Sequence, residues 1–442
     1  MILFPVIPRK NASRQRTAPN GLKKNTFWMM LGNAYYAACQ WLVLIVLARF
    51  GSVEDVGIFT LALALTAPVV VFFGLGLRTI LASDVRHERR FSAYVTVKTV
   101  TATSAFLACS VIALWYTGPT RWTILAVAAA KTVETVSDLF YGYAQREQRL
   151  DRIALSLALR GTIGTALLTV LYLTTHNLAL SSCAYAAGWL GVLWCYDRKN
   201  VHETRRPFDK HPWAAASPVF RIGLPLGLTG LMGLLGPNIP RYVLENSYGA
   251  AALGVFSGMA YFMVAGNIPV MALGQSLVPI LARLHANGEK QKFTALVLRA
   301  LGGVFLLGML GVAAAYFFGA FVLDGIYGPA FAAHADILPL IAIAAAIVYL
   351  GNILGFAISS ARIFVAQAPA FTLVALASLA GALLFIPAYG LKGAAYTLIL
   401  NAVAFFLAPL LLLVFHREKR NKTTGENTMP QTPSFAEDGL SP

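Results

Sequence analysis

An all-α polytopic membrane protein, with twelve transmembrane helices in two pseudo-symmetric six-helix bundles around a central cavity, is the fold this sequence predicts. Three observations predict it. Of 442 residues, 57% are hydrophobic and 12% charged, against about 25% charged in an ordinary soluble domain. Apolar runs of about 20 residues recur along the chain, each long enough to cross a hydrocarbon core of about 30 Å. Short likenesses, one of them at the same internal spacing, also link the two halves, the mark of an internal repeat.

The runs are Thr26–Ala48, Gly57–Ala82, Tyr94–Tyr116, Trp122–Ala144, Ile153–Thr174, Leu178–Tyr196, Val219–Leu244, Gly254–Ala282, Phe293–Phe318, Ile337–Ser360, Gln367–Ile386 and Leu391–Phe415. An even number of spans puts both termini on one side. The loops, tails and adjoining helix ends of that side carry 27 of the 35 Lys and Arg, and the opposite loops carry four: Arg49, Arg121, Arg241 and Lys392. Lys98, Lys131, Arg160 and Arg299 lie inside spans. The positive-inside rule then makes both termini cytoplasmic, as in a multi-pass protein of a bacterial inner membrane. The net charge of +16 is an orientation signal that also suits anionic membrane lipid. A nucleic-acid partner is not expected. Cys39, Cys109, Cys183 and Cys195 sit in apolar spans without C-x-x-C spacing, and the seven histidines lie in loops or tails. Neither a disulfide framework nor a metal site is expected.

Residues 1–25 form a basic cytoplasmic tail. Its apolar start, Met1–Pro8, precedes its basic residues instead of following them, which does not fit a cleavable signal. The first bundle spans 26–196. In helix 1, Asn33, Tyr36 and Gln40 stand at i, i+3 and i+7 and share one face. Interhelical hydrogen bonds contributing about 0.6–2 kcal/mol each would explain them; lining of a cavity is the favoured reading. Helix 2 holds Pro68, expected as a hinge, then Gly74 and Gly76 near its inner end. Arg78 lies close to the cytoplasmic surface and Lys98 about one turn into helix 3, so both can snorkel. For Arg78 a substrate contact is the second reading.

Helices 4 and 5 carry the deepest charges. Lys131, Glu134, Asp138, Tyr141 and Gln145 fall at i, i+3, i+7, i+10 and i+14 of helix 4 and form one polar stripe. Helix 5 returns through the basic turn Gln145–Arg152 and brings Arg160 about two turns in. At about 1.5 Å per residue, Asp138 and Arg160 lie at similar depths, roughly 10–12 Å from that turn. Each ionisable group near a bilayer centre costs roughly 2.5–3.5 kcal/mol, so these face protein or water. Asp138 and Arg160 read equally as a structural ion pair or as part of a path. Lys131 and Glu134, on a single helix, do nothing to join two helices and read as functional. Gly161, Thr165 and Thr169 make a small-residue stripe suited to close packing.

A charged, proline-bearing linker, 197–218, separates the halves, and 219–415 forms the second bundle. Helix 7 is rich in breakers, Pro225, Pro237 and Pro240 among them, and helix 8 adds Pro269. A bent or partly unwound segment is expected, as where transporter cavities form. Residues 416–442 form a polar cytoplasmic tail expected to be disordered.

The repeat is parallel. Gly57-Ile58-Phe59 after Phe50-Gly51 matches Gly254-Val255-Phe256 after Tyr248-Gly249, and Gly142-Tyr143-Ala144 with Arg149 matches Gly355-Phe356-Ala357 with Arg362. Together with Leu47-Ala48-Arg49, Gly74-Leu75-Gly76-Leu77-Arg78, Ser137 to Gly142 and Ile386 to Gly393, these motifs resemble the polysaccharide-transport branch of the multidrug/oligosaccharidyl-lipid/polysaccharide exporter superfamily, the O-antigen and capsule flippases. The likeness covers about Thr26 to Phe415. It implies alternating-access transport of a polyprenyl-pyrophosphate-linked oligosaccharide, with a polysaccharide polymerase and a chain-length regulator as partners and no enzymatic activity. Proton-coupled drug exporters of the superfamily carry an acid in helix 1, where this chain has Asn33. Lipid II flippases add two helices and several helix 1 arginines that are not found here.

A pyrophosphate needs cations, and Lys131, Arg160, Arg78 and Arg241 are the candidates. Glu134 and Asp138 would hold them, or exchange a proton or sodium ion; no other cofactor is expected. A cation-coupled multidrug antiporter is the alternative, but it has no need of Lys131 or Arg160. A polytopic polymerase or glycosyltransferase ranks third, because the longest external loop, Gly319–Asp336, is too small for a catalytic domain.

Overall fold

The computed structural model describes residues 19–84, 89–201, 212–361 and 367–426. Every regular element in them is helical: α1 (Pro19–Phe50), α2 (Val53–Gly74), α3 (Leu77–Ser83), α4 (Phe91–Ala113), α5 (Gly118–Arg146), α6 (Leu150–Thr175), α7 (Leu178–Val192), α8 (Pro212–Ala286), α9 (Lys290–Ile326), α10 (Pro329–Ala332), α11 (Leu338–Ser360) and α12 (Gln367–Glu426). Nine helices among the described residues are long and apolar enough to cross a membrane. The charges of α5 exclude it from that number, not its length of 29 residues. Two of the nine, α8 and α12, far exceed the length of one crossing, and each holds two helices joined at a glycine. Gly249 has φ 79° and ψ 177°, and Gly390 has φ 57° and ψ −127°. Side chains disfavour both conformations, so glycine stands where each helix breaks.

The chain divides into two compact units, Met1–Gly51 with Leu65–Leu228, and Ser52–Ala64 with Thr229–Pro442. The division falls between α1 and α2, inside α2 and inside α8; the linker expected from sequence is 197–218. Of that linker, residues 202–211 lie outside the described part, and α8 already begins at Pro212.

In the first unit α1 packs on α6, α6 on α7, and α5 receives α3, α4 and α7. The small-residue stripe of α6 works as expected at the α1 contact. Gly161 lies so close to Cys39 that a Cβ there would meet its side chain at 3.0 Å, and Thr165 Oγ1 donates to the Cys39 carbonyl at 3.2 Å. The expected single span Gly57–Ala82 is broken, though not at Pro68, which stands inside α2. The break comes at Leu75 and Gly76, with φ of 53° and 59°. Two successive left-handed residues cannot continue a right-handed helix, and at Leu75 the conformation costs about 1–2 kcal/mol. The resulting corner turns α3 onto α5 at Gly142, where a Cβ would lie 2.9 Å from the Arg78 carbonyl. That approach fixes Arg78 over the polar stripe.

The second unit is built on neutral contacts. Its α11 packs between α9 and α12. Tyr327 donates to the Gly258 carbonyl at 3.0 Å and Tyr349 to the Met263 carbonyl at 2.8 Å. Asn352 donates to Asn267 at 2.9 Å, and Ser378 to the Gly236 carbonyl at 2.6 Å. The face of α9 bearing Leu306, Leu310, Phe317 and Phe321 is exposed, as a lipid-facing surface would be. The only non-helical residue inside α8 is Gly249. Pro225, Pro237, Pro240 and Pro269 thus bring no unwinding, because a proline can keep helical φ and lose only one backbone hydrogen bond. The C-terminal tail is helical as far as Glu426; residues 427–442 lie outside the described part, as do residues 1–18.

Candidate functional site: a charged cavity in the first unit

The polar stripe of α5 opens onto a cavity of about 350 Å³ whose walls come from α2, α3, α4 and α5, within the range of about 300–1,000 Å³ usual for ligand sites. Five charged residues line it: Arg78, Lys98, Lys131, Glu134 and Asp138. Gly74 and Gly76, at the broken corner of α2, complete one wall. Three basic and two acidic groups leave a formal charge of +1.

Two of the cations are paired. Lys131 Nζ lies 2.8 Å from Glu134 Oε2, one turn along α5, and 5.7 Å from the Trp189 ring centre. Arg78 Nη1 lies 3.3 Å from Asp138 Oδ1 and its Nε donates to Gln145 at 3.4 Å. These pairs stay partly open, with side-chain exposures of 17% and 22% for the first and 31% and 39% for the second. The third cation differs. Lys98 is only 3% exposed, and its Nζ donates to Thr135 Oγ1 at 3.1 Å and to the Gly74 carbonyl at 3.5 Å. Snorkelling is thereby excluded: α4 begins at Phe91, so Lys98 lies two turns in, with its stem inside the bundle.

Behind the cavity wall lies a second, closed layer. Arg160 is fully buried. It does not pair with Asp138. Its Nη1 lies 3.9 Å from Glu134 and its Nη2 3.6 Å from Asp197. Nη2 also donates to Tyr141 Oη at 2.8 Å, and the guanidinium sits over the Tyr141 and Trp189 rings at 5.4 and 5.2 Å. Ser156 joins the layer, 2.7 Å from Tyr141 Oη and donating to Asp197 at 2.5 Å. Equal depth in the bundle does not make Asp138 and Arg160 direct partners: Asp138 meets Arg78, while Arg160 meets Glu134, Tyr141 and Asp197. Glu134 connects the two layers, since it also accepts from Tyr36 of α1 at 3.0 Å.

Of the other residues singled out by sequence, Asn33 is exposed and donates to the Met29 carbonyl of its own helix at 2.8 Å. Gln40 is half-buried on α1. Tyr36, between them, is the member of that face that reaches the network. Arg241 belongs to the second unit and donates to Asn238 at 3.3 Å. Sequence reasoning missed Asp197, placing it in a loop. A π-helical turn, Leu193–Asp197, carries the end of α7 one turn further and returns Asp197 to the core. An acid directly after an apolar span, facing a turn rich in arginine, was the available signal.

Known proteins share both the sequence pattern and the fold. The family model described as polysaccharide biosynthesis protein matches residues 22–285, more than half of the chain. The chain belongs to this family. A relative, the capsular polysaccharide biosynthesis protein CapF of Staphylococcus aureus, is 26% identical over 402 residues, 89% of this chain and 99% of CapF. Among solved structures, the lipid II flippase MurJ in an inward closed conformation superposes with a TM-score of 0.72 at 11% identity, over 87% of each chain. A multidrug resistance MATE family transporter of the MOP superfamily, in an inward-facing conformation, gives 0.69 at 12% identity, over 91% of this chain and 96% of its own. At such identities the superpositions speak for the fold alone. This member of the polysaccharide biosynthesis family is therefore an all-helical, multi-pass membrane protein with the fold of those transporters.

Proposed function

We propose that the protein is a flippase, moving a polyprenyl-pyrophosphate-linked oligosaccharide across the bacterial inner membrane by alternating access. The observation that carries this reading is the cavity at Arg78, Lys98 and Lys131, a cation-rich pocket in a membrane-spanning polysaccharide-family chain. An anionic head group in such a low-dielectric site gains charge-assisted hydrogen bonds about twice as strong as neutral ones. The lipid chain stays in the bilayer while the head passes the cavity. Glu134 and Asp138 hold the cations in place and are the groups available to exchange a proton or sodium ion in each cycle. A polymerase and a chain-length regulator would act on the delivered units. Twelve crossings with both termini cytoplasmic are the topology this reading needs. Support for it comes from the helices on either side of Gly249 and Gly390 and from the membrane-length, charge-bearing α5.

The test is export in cells whose own copy is deleted. Without the protein, surface polysaccharide should disappear and lipid-linked oligosaccharide should accumulate; unchanged surface polysaccharide would refute the reading. Lys131→Ala should insert at normal levels and fail to export, because Glu134 would then face the anionic head group without its nearest counter-charge. Resistance to cationic drugs with export untouched would favour the antiporter alternative. Topology is checked separately. Reporters at 117–120 and 327–330 should read outside, and those at 202–210 and Gly425 inside; a cytoplasmic report from either outer site breaks the twelve-crossing model.

A further inference from the structure

Lys98 is the one cation of the cavity with no acidic partner within ion-pair distance among the described residues. Lys131 has Glu134 and Arg78 has Asp138, whereas the Lys98 ammonium has only the Thr135 hydroxyl and the Gly74 carbonyl. It is also the most buried of the three. A buried charge with no carboxylate in direct contact is costly, and the direct contacts of this one are two neutral oxygens. Those oxygens do fix its position. Gly74 ends α2, whose last carbonyls lack intrahelical donors and carry the negative end of the helix dipole. Thr135 stands on α5 between Glu134 and Asp138 and brings the ammonium to the cavity wall. The third donor position of the ammonium is left for something that enters the cavity.

We propose that Lys98 is the anion anchor of this cavity, binding a phosphate oxygen of the head group while Lys131 and Arg78 remain committed to their carboxylates. That the anion is a phosphate on a lipid carrier rests on the flippase reading above; that an anion binds at Lys98 does not. The anchor explains the formal +1 of the cavity as one unmatched site instead of a diffuse excess. It also explains why a lysine stands two turns inside α4, where no surface can be reached.

Inorganic pyrophosphate is the probe, titrated by calorimetry into the purified full chain in detergent at constant ionic strength, with sulfate as the competing anion. Lys98→Met should weaken pyrophosphate binding about 10- to 100-fold, the range a hydrogen bond to a charged group commands. Lys98→Arg, which keeps the charge, should bind within a few-fold of the wild type, and Lys131→Met should lose less than Lys98→Met. The ligand-free Lys98→Met chain should unfold at a midpoint equal to or above the wild type, because an unmatched buried charge has gone. A lysine that merely caps α2 would show a lowered midpoint and unchanged pyrophosphate binding, which overturns the proposal. Undetectable pyrophosphate binding by the wild type overturns it as well. Failure of the flippase reading shows elsewhere, in the export assay: pyrophosphate binding lost in Lys98→Met while deletion cells still export would leave the anchor standing and remove the reading.

Discussion

The two units of this protein hold their helices together in opposite ways. In the first, α5, α6 and α7 meet around charge: Arg160 and Asp197 are both buried and close a network through Ser156, Tyr141 and Glu134. In the second, the described interhelical bonds join neutral groups, such as Tyr327 to Gly258, Asn352 to Asn267 and Ser378 to Gly236. The ion pairs described there, Lys392 with Asp336 and Glu289 with Lys292, are at the surface. Neutral bonds suffice to hold membrane helices in register. A charged network in one unit is therefore not a requirement of the fold, and its open side at the cavity points to what it serves. It fixes the geometry of a polar site within an apolar bundle.

The contrast is sharpest at Arg160. Arg160→Ala should cost about 3–5 kcal/mol, because Asp197 is left buried without its counter-charge. The amount of inserted protein should fall steeply. Removing Asp197 as well, in Arg160→Leu with Asp197→Leu, should restore part of it, the coupling expected of partners in a double-mutant cycle. The same cycle on Arg160 with Asp138 should show no such rescue, since the two do not pair. Normal abundance of Arg160→Ala would mean that water reaches the layer, and the distinction between closed network and open cavity would fail.

How far the sequence carries this distinction depends on which coordinate of a helix is being read. Spacing shows which residues share a face, and the α5 stripe from Lys131 to Gln145 does run along one network. The rise per residue shows depth, and it placed Asp138 level with Arg160. Neither shows which way a face points. Tyr141, not Asp138, meets Arg160, and Asp138 meets Arg78 because the corner at Leu75 and Gly76 folds α3 over α5. A span read as continuous from Gly57 to Ala82 cannot reveal that corner. Lys98 was misplaced for a simpler reason. Starting helix 3 at Tyr94 rather than Phe91 moved it a turn closer to the surface and made snorkelling plausible. Asp197 needed a π-helical turn that no local pattern announces. What was legible in full was the composition-level result: helices throughout, and buried charge concentrated in the first half.

In the second unit the effects should be smaller. Asn352→Leu removes the bond to Asn267, worth about 0.6–2 kcal/mol between membrane helices. A modest fall in the thermal midpoint with export retained is expected. Complete loss of export at normal abundance would show that this neutral pair is part of the path, and the functional asymmetry of the two units would have to be given up.

The smallest effect on stability is expected where the first unit opens, at Arg78 and Asp138. Both side chains are about a third exposed, so solvent screens the pair and its net contribution is about 1 kcal/mol or less. Arg78→Ala should leave the level of inserted protein within about twofold of wild type. Export should nevertheless fall, because Arg78 both lines the cavity and holds Asp138, which without it is an acid facing an anionic head group. Asp138→Asn separates these roles. It frees Arg78 from its carboxylate while adding no negative charge, so if Asp138 serves only to hold Arg78, pyrophosphate should bind the purified chain at least as tightly as wild type. If Asp138 also releases a proton or sodium ion in each cycle, Asp138→Asn should bind well and still fail to export. Loss of both binding and abundance in Asp138→Asn would instead place this pair with the closed Arg160 layer. The line drawn between an open cavity and a sealed network would then be in the wrong place.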